Sequence, residues 1–271
     1  MDYNAIVQLV YNARKIAKNK RLKADVSLKG DADFVTAVDT EISEFIKKGL
    51  KKIAPSVAFV TEEESEHISV GERFVLDPID GTTNLTRGYD ACSISLGYYA
   101  GGEVKFGIVL DPFKDELFFA VKGQGAHYYN ARRGISRLLK VGVERYRGGE
   151  LRVSSLSYRQ AIVEFGAGST NKGVSDESFS LAKEIFENCM DLRRICSSAL
   201  AVCYIAAGRI DGYFERKIKV WDYCAASLIL EEAGGIISQW SGERLPFAEP
   251  STIVAGNVDT HAYLLTLLKN R

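Results

Sequence analysis

The 271-residue sequence predicts a mixed protein, an α+β lobe fused to an α/β lobe. Three observations lead there. Apolar residues near the N-terminus recur at helical spacing. Residues 91–130 form β-rich runs divided by Gly-Gly, Asp-Pro and Lys-Gly turn signals. Beyond residue 150, strand-like and helix-like segments alternate. These place a boundary near 150, with lobes of 1–150 and 151–271.

In the first lobe, Ile6, Leu9, Val10, Ala13, Ile16 and Ala17 step by three and four, the pattern of an amphipathic helix. A polar loop leads to a second such helix, expected to begin near Thr36 to Asp39. "SVAFVTEEES" and "RFVLDPIDG" each read as a short apolar strand ending in acids. The meander follows. Residues 131–150 then break its rhythm with Arg132, Arg133, Arg137, Lys140, Arg145 and Arg147.

In the second lobe "QAIVEFG" is a strand and "DESFSLAKEIFENCM" a helix. "SSALAVCYIAAG" reads as a buried helix with Ser197 or Ser198 near its cap and Gly208 at its end. After the strand "IDGYFE", "DYCAASLILEEAGG" is a helix capped by Asp222 and closed by Gly234-Gly235. The strand "STIVAGN" precedes a terminal helix.

Composition narrows the function. Lys plus Arg and Asp plus Glu each number 35, so no global basic field argues for direct nucleic-acid binding. No apolar run is long enough to span a membrane, and the N-terminus lacks the apolar core of a secretory signal. Five cysteines, an odd number without a CxxC pair, fit a reduced, cytoplasmic setting. Cys189, Cys196 and Cys203 read as small core residues. His67, His127 and His261 are too scattered for a zinc site, so any base is expected to be a carboxylate.

The acids share one local grammar. Glu62 and Glu63 end a strand, Asp77 and Asp80 end another around a Pro-Ile step, and Asp222 and Asp39 lie at helix starts. Acids at strand ends and helix starts can converge on one rim of a layered fold. Asp77 and Asp80, with the Ile79 carbonyl, form an oxygen set suited to Mg²⁺. Gly81-Thr82-Thr83-Asn84 reads as a helix start whose amides favour an anion. Each piece has a plainer reading. Asp-Pro-x-Asp-Gly is a good turn sequence, the Glu62–Glu64 run suits a solvated face, and Asp222 suits a simple cap.

Taken together, "VLDPIDGTTNL", "VWDYCAASLILEEAGG", "FVTEEES" and "DADFVTAVDTEIS" closely resemble the motifs of the inositol monophosphatase family, Mg²⁺-dependent, lithium-sensitive phosphatases related to fructose-1,6-bisphosphatases. The resemblance runs from about Phe34 to the C-terminus. It implies a layered αβαβα sandwich, usually a homodimer. It also implies hydrolysis of a small phosphorylated polyol or sugar, inositol monophosphate first, by a metal-activated water. Fructose-1,6-bisphosphate and phosphoadenosine phosphate are the alternative substrates.

Residue by residue, the resemblance makes Glu62, Asp77 and the Ile79 carbonyl ligands of one Mg²⁺, and Asp77, Asp80 and Asp222 ligands of a second. Glu62 also reaches any third ion. Asp39 and Thr82, with Glu62, orient the attacking water, and the Gly81 and Thr82 amides hold phosphate. Glu215 matches a glutamate that binds substrate hydroxyls, and Ser198 and Ala199 match backbone lining the same pocket. Read structurally, Glu215 is instead a strand-end acid paired with Arg216 or Lys217. The sequence departs from the family at Thr61, where Gly is common, and in a basic insert of roughly 17 residues between Asn130 and Leu151. The insert suits a solvated or dimer-edge element, a contact to a second phosphate, or a regulatory protein partner.

Overall fold

The computed structural model describes the chain except residues 20–25, 31–32, 64–70, 131–148, 168–171, 249 and 270–271. The basic insert therefore lies almost wholly outside the described residues.

The first helix, α1 (Tyr3–Ala17), buries Ile6, Val10, Ala13 and Ala17, and Asp2 caps its N-terminus by accepting from Ala5 N–H at 3.0 Å. A hairpin of β1 (Val26–Gly30) and β2 (Asp33–Thr36) leads into α2 (Ala37–Ile53), which buries Ile42, Ile46 and Leu50. The large sheet follows: β3 (Ala58–Thr61), β4 (Arg73–Asp80), β5 (Ser93–Ala100), β6 (Glu103–Asp111), β7 (Glu116–Val121), β8 (Ala126–Asn130) and β9 (Gly149–Glu150), in that spatial order. Only the β3–β4 pair is parallel; the rest is the expected antiparallel meander. A single short helix, α3 (Thr82–Thr86), sits between β4 and β5.

The chain continues with β10 (Ile162–Phe165), α4 (Ser175–Phe186), β11 (Asp191–Arg193), α5 (Ser198–Ala206), β12 (Gly212–Ile218), α6 (Val220–Glu232), β13 (Ile236–Ser238), β14 (Ser251–Gly256) and α7 (Val258–Leu268). These strands form a mixed five-stranded sheet ordered β11-β10-β12-β14-β13.

Side-chain alternation on the strands builds the layers. Phe74 and Leu76 of β4 face α1 and α2, whereas Val75 joins Val109 and Phe118 in facing α5 and α6. From the other side, Tyr213, Ile253 and Ala255 of the small sheet close on the same two helices. Val163, Phe165, Phe214 and Val254 point outward to α4 and α7. The order is helix, sheet, helix, sheet, helix: the αβαβα sandwich that the resemblance implied.

The helix α6 is apolar on every side because sheets cover both its faces. Glycines let it approach the large sheet closely. A Cβ at Gly97 would stand 2.5 Å from Cys224 Sγ, and one at Gly107 would stand 2.3 Å from the Ala225 carbonyl oxygen.

Candidate metal centre and active site

Strand β4 carries two of the acids to the site. All eight of its residues are buried, and its pairing with β5 shifts register between Asp77 and Asp80. That irregularity at the Pro-Ile step lets both carboxylates leave the ladder in the same direction. The third acid comes from the start of α6, tied to β5 where Ser95 Oγ donates to the Trp221 carbonyl at 3.3 Å. One ligand oxygen from each of Asp77, Asp80 and Asp222 then lies within 4.8 Å of the others.

Their charges do not cancel. The groups acting on Asp77 are Glu62, Asp80 and Asp222, all acidic, and burial pushes its carboxyl well above the usual range before any of them is counted. Asp222 is likewise raised, first by burial and then by Asp80 and Glu62. Asp80 is raised by burial, but less freely, since donors surround it. Ser197 Oγ (2.7 Å), Ala199 N–H (2.8 Å) and Ser93 Oγ (3.4 Å) donate to its Oδ2, and Ser198 N–H (3.2 Å) to its Oδ1.

Asp39 lies alongside, at the start of α2. Thr36 caps the helix and donates to Asp39 Oδ2 from both its N–H (2.8 Å) and its hydroxyl (2.5 Å). The Thr82 hydroxyl reaches Asp39 Oδ1 at 3.2 Å and the Ile79 carbonyl at 2.9 Å. Burial lifts the Asp39 carboxyl to about 6, against the lowering effect of those donors, and Glu63 adds to the rise.

Glu215, half-buried on β12, faces the same region. Tyr213 Oη (2.6 Å) and Ser198 Oγ (3.2 Å) both donate to its Oε2, and a Cβ on Gly166 would collide with its carboxyl group. Burial raises it to about 7, and Asp80 acts in the same direction while Arg194 opposes. Its partners are thus Tyr213 and Ser198. The structural reading, a surface acid paired with Arg216 or Lys217, is not what the fold shows: Arg216 pairs with Glu177 at 2.8 Å.

Several local expectations need correction. Asp222 does not cap α6. The helix starts two residues earlier, and Asp222 is its third residue, accepting from Lys219 N–H at 3.1 Å. Ser197 stands at the cap position of α5 but makes no capping bond, because its hydroxyl is committed to Asp80. Cys196 is exposed, not core, and holds a left-handed backbone (φ 63°). The helix after Gly81 is only five residues long, too short to carry the helix dipole that the sequence suggested for an anion there. Glu62 is half-buried, and its charge is felt by Asp77 and Asp222.

Sequence reasoning passed over Ser93, Glu164 and Tyr213, and it gave Ser197 and Asn84 only helix-start roles, without their contacts to Asp80 and to the Ile195 carbonyl. For Ser93 and Glu164 one signal was available: a polar residue inside an otherwise apolar strand, as in "ACSISLG" and "IVEFG".

The model of the inositol monophosphatase family matches residues 2–271. The chain belongs to the inositol monophosphatase family. Among its relatives, the Nus factor SuhB of Pasteurella multocida is 34% identical over 231 residues, covering 84% of this chain and 80% of that protein. An inositol-1-monophosphatase of Rhizobium meliloti is 32% identical over 259 residues, covering 94% and 91%. The crystal structure of the extragenic suppressor protein SuhB from Bartonella henselae superposes with a TM-score of 0.84 at 29% identity, covering 98% of each chain. Membership in the inositol monophosphatase family makes the chain a phosphatase, a hydrolase of phosphoric monoesters.

Proposed function

We propose that the chain hydrolyses a small phosphorylated polyol, inositol monophosphate first, with Mg²⁺ at the acidic centre. The observation that carries this reading is the trio of Asp77, Asp80 and Asp222, within 4.8 Å of one another, all raised in pKa by burial and Asp77 and Asp222 further by their acidic neighbours. Such a set of hard oxygen donors fits a divalent cation of the Mg²⁺ class. Asp77, Asp80, Asp222, the Ile79 carbonyl and Glu62 would hold two ions, and Glu62 would also serve a third. When bound, the cations supply Lewis-acid activation of water and neutralise charge on the leaving oxygen.

The chain's own groups do the rest. The Thr82 hydroxyl has one proton and two acceptors, Asp39 Oδ1 and the Ile79 carbonyl. Were the carbonyl to serve as a ligand, that proton would go to Asp39, and the Thr82 oxygen would be free to accept from the attacking water. Asp39 is fixed for this by Thr36. The Gly81 and Thr82 amides would donate to the phosphate oxygens and stabilise the charge that builds on them. Tyr213 and Ser198 both occupy Glu215 Oε2, which directs Oε1 to a substrate hydroxyl.

Phosphate release from a panel of phosphorylated metabolites tests this directly, run with Mg²⁺, without it, and with Li⁺ added. The expected result is Mg²⁺-dependent, Li⁺-sensitive release, highest with inositol monophosphate. No release from any compound by folded protein would overturn the reading. Bisphosphates such as fructose-1,6-bisphosphate are the second class of substrate. Arg194, an exposed cation in the field of Glu215, supports it, and so would a preference for phosphoadenosine phosphate in the same panel.

A homodimer in a cytoplasmic setting completes the proposal. Phe179 and Phe186, seven apart on α4, are exposed apolar side chains suited to a subunit contact, and light scattering reads the mass. Among the described residues no helix is long and apolar enough to cross a membrane. A regulatory, protein-binding role through residues 131–150 is the alternative from a different class. It is supported by relatives named Nus factor, and deletion of that segment would then abolish association while sparing catalysis.

A further inference from the structure

Glu164 is 1% exposed in the middle of β10, a short strand whose neighbours are apolar. It pairs in register with Tyr213 of β12, so both side chains rise from the same face of the small sheet, beside Glu215. One carboxylate oxygen, Oε1, accepts from Ile195 N–H at 2.8 Å, and the backbone of Cys196 lies beside the same carboxylate and helps to hold its pKa down against burial. The other, Oε2, is sealed from solvent and has no hydrogen-bond partner among the described residues. An apolar side chain would avoid that buried, unsatisfied oxygen, but no apolar side chain could receive the Ile195 amide beside Cys196.

Those two residues belong to the turn that enters α5. Cys196 there adopts a left-handed backbone, a conformation that persists in a non-glycine residue only where surroundings enforce it. Asn84 holds the turn from its other side, donating through Nδ2 to the Ile195 carbonyl at 2.7 Å and the Ala91 carbonyl at 2.8 Å. The next three residues, Ser197, Ser198 and Ala199, supply three of the four donors on Asp80. The Cys196 carbonyl also packs against Gly81, where an added Cβ would lie 3.1 Å away. Glu164 therefore stands beneath a strained turn that grips an acid of the metal centre.

We propose that Glu164 is a positioning residue: by fixing the Ile195–Ser198 turn it orients Asp80 and so sets the affinity of the acidic centre for its cation. This rests on the proposed function above. Groups that orient ligands from behind typically change metal affinity by about 10- to 100-fold when removed.

The test compares Glu164→Ala, which deletes the acceptor, with Glu164→Gln, which keeps an oxygen in place for the Ile195 amide. Mg²⁺ binding is read by titration calorimetry, and phosphate release over a range of Mg²⁺ concentrations. In Glu164→Ala the Mg²⁺ dissociation constant is expected to rise roughly 10-fold. Turnover is expected to recover at saturating Mg²⁺, with KM for substrate little changed, while Glu164→Gln stays within about threefold of the parent on all three readings. A Glu164→Ala protein that melts earlier yet binds Mg²⁺ like the parent would overturn the proposal and leave a purely structural role. So would Glu164→Gln binding as weakly as Glu164→Ala. Should Glu164→Ala not fold, Asn84→Ala releases the same turn from its opposite side, and unchanged Mg²⁺ affinity there would be equally fatal. If the parent protein itself takes up no Mg²⁺, the reading of the acidic centre fails first, and the positioning role falls with it.

Discussion

Asp80 and Asp222 sit in the same repulsive field but are built in differently. Asp222 accepts one backbone bond, from Lys219, whereas both oxygens of Asp80 are bonded, by four donors in all. An asparagine at 222 keeps its single acceptor and removes a buried like charge. Asp222→Asn is therefore expected to lower turnover at saturating Mg²⁺ by about 10³-fold while raising the melting temperature of metal-free protein by a few degrees. At position 80 an amide NH₂ must confront donors on one side, so Asp80→Asn is expected to lose turnover and melting temperature together. Calorimetry in EDTA beside a phosphate-release assay separates the two, and near-normal turnover in Asp222→Asn would remove that residue from the ligand set. Glu215→Gln works on selectivity instead. Its Oε2 loses the two donations from Tyr213 and Ser198 whenever the NH₂ group faces them. KM for inositol monophosphate is expected to rise about 10-fold, with an aryl phosphate that lacks hydroxyls little affected, since one hydrogen bond to a charged group is worth about 1.5–3 kcal/mol. An unchanged ranking of substrates would contradict that role.

At the scale of elements, the position of Asp222 depends on how closely α6 lies on the large sheet. Gly107 faces the backbone of Ala225, so the obstacle to a Cβ is main chain that cannot rotate away. Gly107→Ala is expected to push the helix off β6, costing about 1–3 kcal/mol in urea unfolding. It should also weaken Mg²⁺-dependent turnover more than tenfold, because metal geometry tolerates little displacement. A stable, fully active variant would show that α6 need not be held so close. The same elements show what a one-dimensional reading can reach. Helices α1 and α2 were legible because each has one wet face, which leaves a 3.6-residue period, and the acids were placed correctly at the end of β4 and the start of α2. The start of α6 was misplaced for a physical reason. A third-position acid that bonds back to the cap backbone carries the same residue type as a cap, and neither Lys219 nor Val220 looks like a helix start. Strand β13, three residues long and partly exposed, leaves no period to detect. Glu164 and Ser197 were illegible as partners of the site because their roles come from contacts over 31 and 117 residues of sequence.

For the whole molecule, the layering gathers acids from across the chain into one interior, and this sets how stability responds to pH. Burial raises Asp39 to about 6 and Glu164 and Glu215 to about 7, and raises Asp77, Asp80 and Asp222 as well. A carboxyl whose folded pKa exceeds its unfolded value binds its proton more tightly in the native state. Its stabilising contribution is complete below the unfolded value, near 4, and is lost as pH rises through the folded value. For Asp39 alone a rise from 3.8 to about 6 corresponds to about 3 kcal/mol. His261, held below its ordinary value by burial, acts in the opposite sense, but one imidazole stands against seven raised carboxyls, Asp111 included. Metal-free protein is therefore expected to lose on the order of 10 °C of melting temperature between pH 5.5 and 8. Added Mg²⁺ should reverse the trend, because its ligands must be deprotonated to bind it and binding stabilises the native state by mass action. The gain in melting temperature from Mg²⁺ should be small at pH 5.5 and largest near pH 8. Scanning calorimetry across that range, with EDTA and with Mg²⁺, reads both curves. A metal-free curve that is flat or climbs with pH would mean that the buried acids are already compensated within the fold, and the case for a cation among them would lose its electrostatic basis.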